Sequence, residues 1–130
     1  MRQAEARRTL DALSPYVAAG LPIVGLEPSC LLTLRDELTV MKLGAEAEEI
    51  AGAAMMFEEF IVANSDRFSF RPIGRKALLH GHCHQEALSS VDSSALLLNL
   101  PQNYQVEVIP SGCCGMAGSF GYEKEHYAIS

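Results

Sequence analysis

Three short apolar runs, separated by segments of helical length, constrain the fold of this chain more than any other feature. The runs cover residues 21–26, 75–80 and 104–109, and a proline or glycine follows each of them within two residues. Short apolar runs bounded in this way predict buried strands. Because strands joined by helix-length crossovers pair in parallel, the sequence predicts an α/β domain with a small, mainly parallel sheet flanked by helices.

The segments around these strands have the composition and spacing of helices. Pro15 is expected to kink the first helix or to restart it, and Gly20 is expected to end it. Ser29 is a candidate cap for the second helix. The predicted helices cover residues 2–13, 29–41, 45–64 and 85–98, and a last helix is expected to begin at residue 122.

All of the cysteines follow a predicted strand, in the order Cys30, Cys83, Cys113 and Cys114. The carboxyl ends of parallel strands share one edge of a sheet, and this edge is where α/β proteins bind ligands. The four thiols are therefore expected to converge, although 84 positions separate the first from the last. Cys30 should lie in the first turn of a helix, an electropositive position that favours the thiolate.

Residues 110–121, PSGCCGMAGSFG, place two adjacent thiols among four glycines. Glycine is costly to order, and it is used where the backbone closely approaches another group or has a positive φ. A disulfide between adjacent cysteines requires a strained ring, so both sulfurs are expected to face one metal or cluster. A glycine-rich loop that holds two buried small residues is the alternative.

Composition excludes several classes of function. The chain has 130 residues, a net charge of −6 and no cluster of Lys and Arg, which argues against a nucleic-acid partner. No apolar run approaches the roughly 18 residues of a membrane span, and the first residues do not resemble a signal peptide. These features predict a single cytoplasmic domain, in which cysteines more often serve as ligands or redox groups than as structural disulfides.

Three histidines next to Cys83 add nitrogen ligands to the four thiols: His80, His82 and His84. This set suits an iron–sulfur cluster or zinc. If the chain stays extended here, Cys83 faces away from the first two histidines, so a shared metal requires a turn at Gly81 or His82. A histidine is more often structural than a ligand, and one of the three is expected to donate a hydrogen bond to the site. The cysteine spacing is not that of a zinc finger, a ferredoxin or a CxxC oxidoreductase, and GCCGMAG does not match the GxGxxG of a dinucleotide site.

Three segments carry a resemblance to a known family: LEPSCLLTLRDE (26–37), LLHGHCHQEAL (78–88) and SGCCGMAGSFGYEKEHY (111–127). They resemble the cysteine-rich CCG domain of heterodisulfide reductase and of the iron–sulfur subunits of glycolate oxidase, glycerol-3-phosphate dehydrogenase and L-lactate utilisation complexes. The same domain ends the large fused FAD-linked oxidases, and the three segments are most similar to that group.

The resemblance implies a domain that binds a cluster of the 4Fe–4S type and moves electrons from a flavin to a downstream acceptor. FAD would lie on a separate domain that oxidises a 2-hydroxy acid such as D-lactate, glycolate or 2-hydroxyglutarate, and a ferredoxin-like domain would be a further partner. The matching positions imply four cluster ligands, Cys30, Cys83, Cys113 and Cys114, and four residues that contact the cofactor, Gly112, Gly115, His82 and His84.

In that family the cysteine pattern occurs twice. Cys30 resembles the closing cysteine of a first repeat, and the closing cysteine of the second repeat would lie beyond Ser130. The chain is therefore expected to be a fragment of a larger oxidoreductase and not to be catalytic alone. A structural zinc domain and a metal-free interaction domain remain the alternatives.

Overall fold

The computed structural model describes residues 3–112, 115–116 and 119–129. Helices and strands alternate along most of this length. In chain order the elements are α1 Gln3–Ala18, β1 Ile23–Gly25, α2 Pro28–Arg35, α3 Glu37–Val40, α4 Ala45–Ala53, β2 Ala54–Met56, α5 Phe57–Ala63, β3 Lys76–Leu79, α6 Cys83–Leu88, α7 Asp92–Asn99 and β4 Gln105–Val108. Short 3-10 turns cover Ser65–Arg67, Phe120–Tyr122 and Lys124–His126.

The strands form two parallel pairs. β1 pairs with β2, with Ile23 opposite Ala54, and β3 pairs with β4, with Lys76 opposite Gln105. The predicted α/β class and the parallel pairing are therefore confirmed. The three predicted strands correspond to β1, β3 and β4, but they do not form one sheet in the described residues, because β1 pairs with a strand that was not predicted.

β2 lies inside the segment that was predicted as a single helix over residues 45–64. Ala54 and Met56 are both buried, and they share a hydrophobic cluster with Leu31 of α2. This burial and the pairing with β1 outweigh the helical preference of the alanine-rich sequence, because tertiary packing commonly overrides local propensity. The segment is therefore helix α4, strand β2 and helix α5.

The first helix and its end follow the predicted signals. α1 continues through Pro15 without ending there. Gly20 has a φ of 77°, and its N–H donates to the carbonyl oxygen of Val17 at 2.8 Å. A left-handed glycine with this bond is a common way to end a helix, so the predicted stop is confirmed.

Two of the later helices differ from prediction. The segment predicted as one helix over residues 85–98 is two helices, because α6 begins at Cys83 and the chain leaves the helix between Leu88 and Asp92. The predicted last helix is replaced by 3-10 turns. There the ring of Phe120 stacks on that of His126 with the centroids 3.7 Å apart.

The buried hydrophobic side chains of the described residues all lie before residue 62. One cluster joins α1, α3 and α4 through Ala6, Leu10, Leu38, Ala47 and Ile50. A second joins α2 and β2 through Leu31, Ala54 and Met56. In the described part of the chain after residue 62, the buried residues are Gly81, Gln85 and Gly121.

Helix contacts connect the two strand pairs. α2 packs against α6, α5 packs against α7, and α7 also packs against β4. Cys30 and Cys83 therefore lie on neighbouring helices, each in the first turn of its helix. The longest helix that the structure describes, α1, has 16 residues, and no described helix is long and apolar enough to cross a membrane.

Candidate metal centre

Cys30 lies in the first turn of α2, directly after β1, as predicted. The helix is capped by Glu27, whose carboxylate accepts hydrogen bonds from the N–H of Ser29 at 3.0 Å and from that of Cys30 at 2.6 Å. The prediction that Ser29 caps this helix is therefore wrong. Pro28 explains the difference, because proline favours the first helical position, and the cap must then precede it.

Cys30 lies beside a negative charge, that of Glu27, and not in the electropositive surroundings that were expected. The Glu27 carboxylate accepts a hydrogen bond from the Cys30 thiol and lies close to it, and both effects raise the pKa of the thiol. The same thiol hydrogen bond, together with the backbone bonds from Cys30 and Ser29, lowers the pKa of Glu27 to about 2. The expectation of a thiolate-favouring position is wrong for the metal-free chain, since a full carboxylate charge outweighs the partial charge of the helix terminus.

We expect the variant Glu27→Gln to react faster with iodoacetamide at Cys30. Removing the carboxylate charge lowers the pKa of the thiol towards its ordinary value and so raises the thiolate fraction at about pH 8. The increase should shrink as the pH rises, because the thiol of the wild-type chain then also ionises. Alkylation of the metal-free, reduced chain is followed for each cysteine by peptide mass spectrometry. Cys83 is the internal control, and an unchanged rate at Cys30 would contradict the role assigned to Glu27.

Cys83 is the first residue of α6, and the chain turns immediately before it. β3 ends at Leu79, and His82 has the extended conformation of a helix cap. The His82 Nδ1 atom accepts a hydrogen bond from the N–H of His84 at 3.3 Å. The turn that a shared site requires is therefore present at His82. Because Nδ1 acts as the acceptor, the neutral ring carries its proton on Nε2, which remains a donor.

A hydrogen bond next to the strand ends connects the two cysteine segments of the second half. The Nε2 atom of His80 lies 3.2 Å from the carbonyl oxygen of Gly112. The N–H of Ile109 also donates to the carbonyl oxygen of Leu79 at 2.8 Å, just past the end of the strand pair. The segment that leads to Cys83 is thus held beside the one that leads to residue 113.

The structure places two of the four predicted ligands, Cys30 and Cys83, on neighbouring helices. Cys30 and Cys83 are exposed, free of disulfides and carried by the first turns of two helices in contact. Cys113 and Cys114 lie outside the described residues, so the convergence of four thiols stays a prediction. Within the described ranges, no group of three or more His, Cys, Asp or Glu side chains could hold a metal ion.

An apolar hollow of about 400 Å³ opens beside Cys30, and no pattern in the sequence predicted it. Four aliphatic side chains form most of its lining: Ile23, Leu26, Leu31 and Leu34. Gly25, Glu27 and Cys30 complete it. Leu26 is 81% exposed although it adjoins a strand. Apolar surroundings limit water at a metal site and influence its chemistry, so this hollow would affect any centre that Cys30 binds.

Two of the four glycines in the segment 110–121 show one of the two predicted reasons for glycine, a positive φ or a close approach of the backbone to another group. Gly115 has a φ of 77°. Gly121 is buried, and a Cβ atom built there would lie 2.8 Å from the Cα atom of Met116. Gly112 has no described atom within 4 Å of such a Cβ and no positive φ, and Gly118 lies outside the described residues.

We expect the variant Gly121→Ala to lower the free energy of unfolding by about 1–3 kcal/mol, the usual cost of overpacking. The added methyl group would displace the backbone at Met116, whose carbonyl oxygen accepts the N–H of Gly121 at 2.8 Å. Urea unfolding followed by circular dichroism measures the change. Gly74→Ala is the matched control, because no atom lies within 4 Å of a Cβ there. Equal midpoints for the two variants would contradict the close contact.

Comparison with known proteins finds relatives of this chain among dehydrogenases. The chain is 27% identical over 115 residues to a subunit of the anaerobic glycerol-3-phosphate dehydrogenase of Escherichia coli (strain K12), covering 85% of this chain and 28% of that protein. It is 28% identical over 127 residues to D-2-hydroxyglutarate dehydrogenase of the same strain, covering 96% of this chain and 12% of that protein. It is 31% identical over 122 residues to D-2-hydroxyglutarate dehydrogenase of Pantoea ananatis (strain AJ13355), covering 93% of this chain and 12% of that protein.

The chain thus corresponds to a segment of each of these relatives. It spans about a quarter of the length of the first and about an eighth of the length of the other two. Their names agree with the kinds of oxidoreductase that the sequence resemblance indicated. No protein-family model matches the chain, and no solved structure matches it.

Proposed function

We propose that this chain is a CCG-type domain that binds an iron–sulfur cluster and transfers electrons within a flavin-linked oxidoreductase acting on a 2-hydroxy acid. The proposed ligands are Cys30, Cys83, Cys113 and Cys114. The observation that carries the proposal is the hydrogen bond between His80 and Gly112 at 3.2 Å. This bond holds the segment that leads to Cys83 beside the segment that leads to residue 113, at the carboxyl end of the strand pair β3 and β4.

The chemistry of the available residues fits such a cluster. Cys30 and Cys83 are exposed thiols in the first turns of adjacent helices, and thiolates are the usual ligands of iron–sulfur clusters. A bound cluster would supply one-electron transfer. The chain would hold and tune it, with hydrogen bonds from the backbone at Gly112 and Gly115 and from the Nε2 atom of His82, and with His84 next to the ligand Cys83.

The remaining parts of the proposal concern the larger protein. Similarity to D-2-hydroxyglutarate dehydrogenase over 93–96% of this chain supports a 2-hydroxy-acid oxidoreductase as its context. The proposed partners are a flavin domain that carries FAD, a ferredoxin-like domain and a downstream electron acceptor, and the proposed location is the cytoplasm. Substrate oxidation would occur at the flavin and not on this chain.

Anaerobic expression tests this function, with iron, sulfide and zinc measured per chain and a visible absorption spectrum recorded. Brown protein with stoichiometric iron and sulfide is the expected result. One zinc per chain without sulfide would contradict the proposal and favour the structural zinc domain. A colourless, metal-free chain would contradict cluster binding by these 130 residues alone, and the same measurement on a longer parent protein would then show whether flanking segments complete the site.

A further inference from the structure

Gln85 is the buried polar side chain of the described residues, with 5% of its surface exposed. It is the third residue of α6 and lies two positions after Cys83. Its amide nitrogen lies within hydrogen-bonding distance of three oxygen atoms: Oε1 of Glu58 at 2.8 Å, Oγ of Ser94 at 3.2 Å and the carbonyl oxygen of Ser90 at 3.2 Å. The side chain is therefore fixed by contacts outside its own helix.

The partners of Gln85 are also bonded to each other. The Ser94 hydroxyl donates to the same Glu58 oxygen at 2.9 Å. Gln85, Glu58 and Ser94 thus form a closed triangle, here called the Gln85 network, which joins α6 to α5 and α7. Every buried polar side-chain atom in the described residues has a hydrogen-bond partner. A satisfied network of this kind holds its members in one arrangement, because breaking it leaves buried polar groups unpaired.

The network connects Cys83 to the part of the fold that carries Cys30. α5 follows β2 directly, and it contacts both β2 and β1. β1 leads into α2, whose first turn contains Cys30, and α2 packs against α6. Glu58 of α5 therefore anchors the first turn of α6 to the same strand pair that positions Cys30.

We propose that Gln85 is a positioning residue, which fixes Cys83 relative to Cys30 through Glu58 and Ser94 and thereby shapes the metal centre. The effect of Gln85 on the metal centre rests on the proposed function. The placement of the two thiols does not, and it can be measured in the metal-free chain. The side chain of Gln85 acts through the helix that carries Cys83 and need not touch the metal itself.

The first experiment measures the placement of the thiols without metal. Spin labels are attached to Cys30 and Cys83 in a chain with Cys113→Ser and Cys114→Ser, and dipolar electron paramagnetic resonance gives the distribution of distances between the labels. We expect Gln85→Met, which keeps the length of the side chain but removes its donors, to broaden this distribution. Gln102→Met is the matched control at an exposed position, and it should leave the width unchanged.

Ser94→Ala is a second variant that keeps the proposal testable if Gln85→Met does not fold. It removes one member of the Gln85 network and leaves the 2.8 Å bond between Gln85 and Glu58 in place, so a smaller broadening is expected. A wild-type width in folded Gln85→Met overturns the proposal. If Gln85→Met does not fold, a wild-type width of the distance distribution in Ser94→Ala overturns the proposal.

The second experiment measures the loaded chain with its native cysteines. Gln85→Met is expected to lose iron to a chelator roughly 10- to 100-fold faster than the wild type, as is usual for residues that support metal ligands. The spectrum of the reduced cluster should also shift. If Gln85→Met broadens the distance distribution but loses iron at the wild-type rate and has the wild-type spectrum, Gln85 positions the thiols without shaping the metal centre. That result would overturn this part of the proposal. If the wild type binds no cluster, the proposed function fails, while the spin-label result still decides whether Gln85 positions Cys83.

Discussion

The variant Cys83→Ser is expected to lose stoichiometric iron and sulfide while keeping its fold. The thiol is exposed and begins α6, so it has no packing role that serine could not fill, and serine is well tolerated at the start of a helix. Its hydroxyl, however, is a poor substitute for a soft thiolate ligand. The same loss is expected for Cys113→Ser and Cys114→Ser. Iron and sulfide are measured per chain after anaerobic reconstitution, and circular dichroism monitors the fold.

Glu86→Gln is the control for this experiment, because residue 86 is an exposed position of the same helix. It should retain the iron content of the wild type. Unchanged iron in Cys83→Ser would remove Cys83 from the ligand set. A simultaneous loss of the helical signal would show that the substitution acts on folding and not on ligation.

The variant Leu38→Ala is expected to lower the free energy of unfolding by about 2–5 kcal/mol. Leu38 is fully buried, and its cluster joins α1, α3 and α4. Truncation removes apolar contacts within this cluster and leaves a cavity, since the surroundings relax only in part. Urea unfolding followed by circular dichroism measures the difference.

Val40→Ala is the matched control, in the same short helix but with a side chain that is 72% exposed. Its effect should stay within about 0.5 kcal/mol of the wild type, as for most surface substitutions. Equal losses for the two variants would contradict the position of Leu38 in the core.

The strands and helix ends that depend on local signals could be predicted from the sequence. Apolar runs with adjacent turn residues located β1, β3 and β4 to within about two residues. Gly20 and Gly115 have the positive φ that glycine accommodates. β2 could not be found in this way, because the residues at 54–56 are compatible with a helix and form a strand only beside β1 and α2.

The candidate site was predictable in outline but not in its interactions. The positions of Cys30 and Cys83 after strands followed from the order of the elements. The Glu27 cap has a signal in the sequence, namely a carboxylate directly before a proline at the first helical position. The Gln85 network had none, because Glu58 lies 27 positions away from Gln85 and only the tertiary fold brings the two side chains together.

The uneven distribution of the hydrophobic core has a consequence for how the molecule opens. The pair β1 and β2 is supported by clusters that bury side chains completely, whereas the described residues around β3 and β4 bury no hydrophobic side chain to that extent. Segments with less buried apolar surface unfold locally at a lower free energy than the rest of a domain. The described residues around β3 and β4, including Cys83, are therefore expected to unfold locally at a lower free energy than those around β1 and β2. If Cys83 binds a metal centre, the free energy of ligation adds to folding where the described hydrophobic core is smallest.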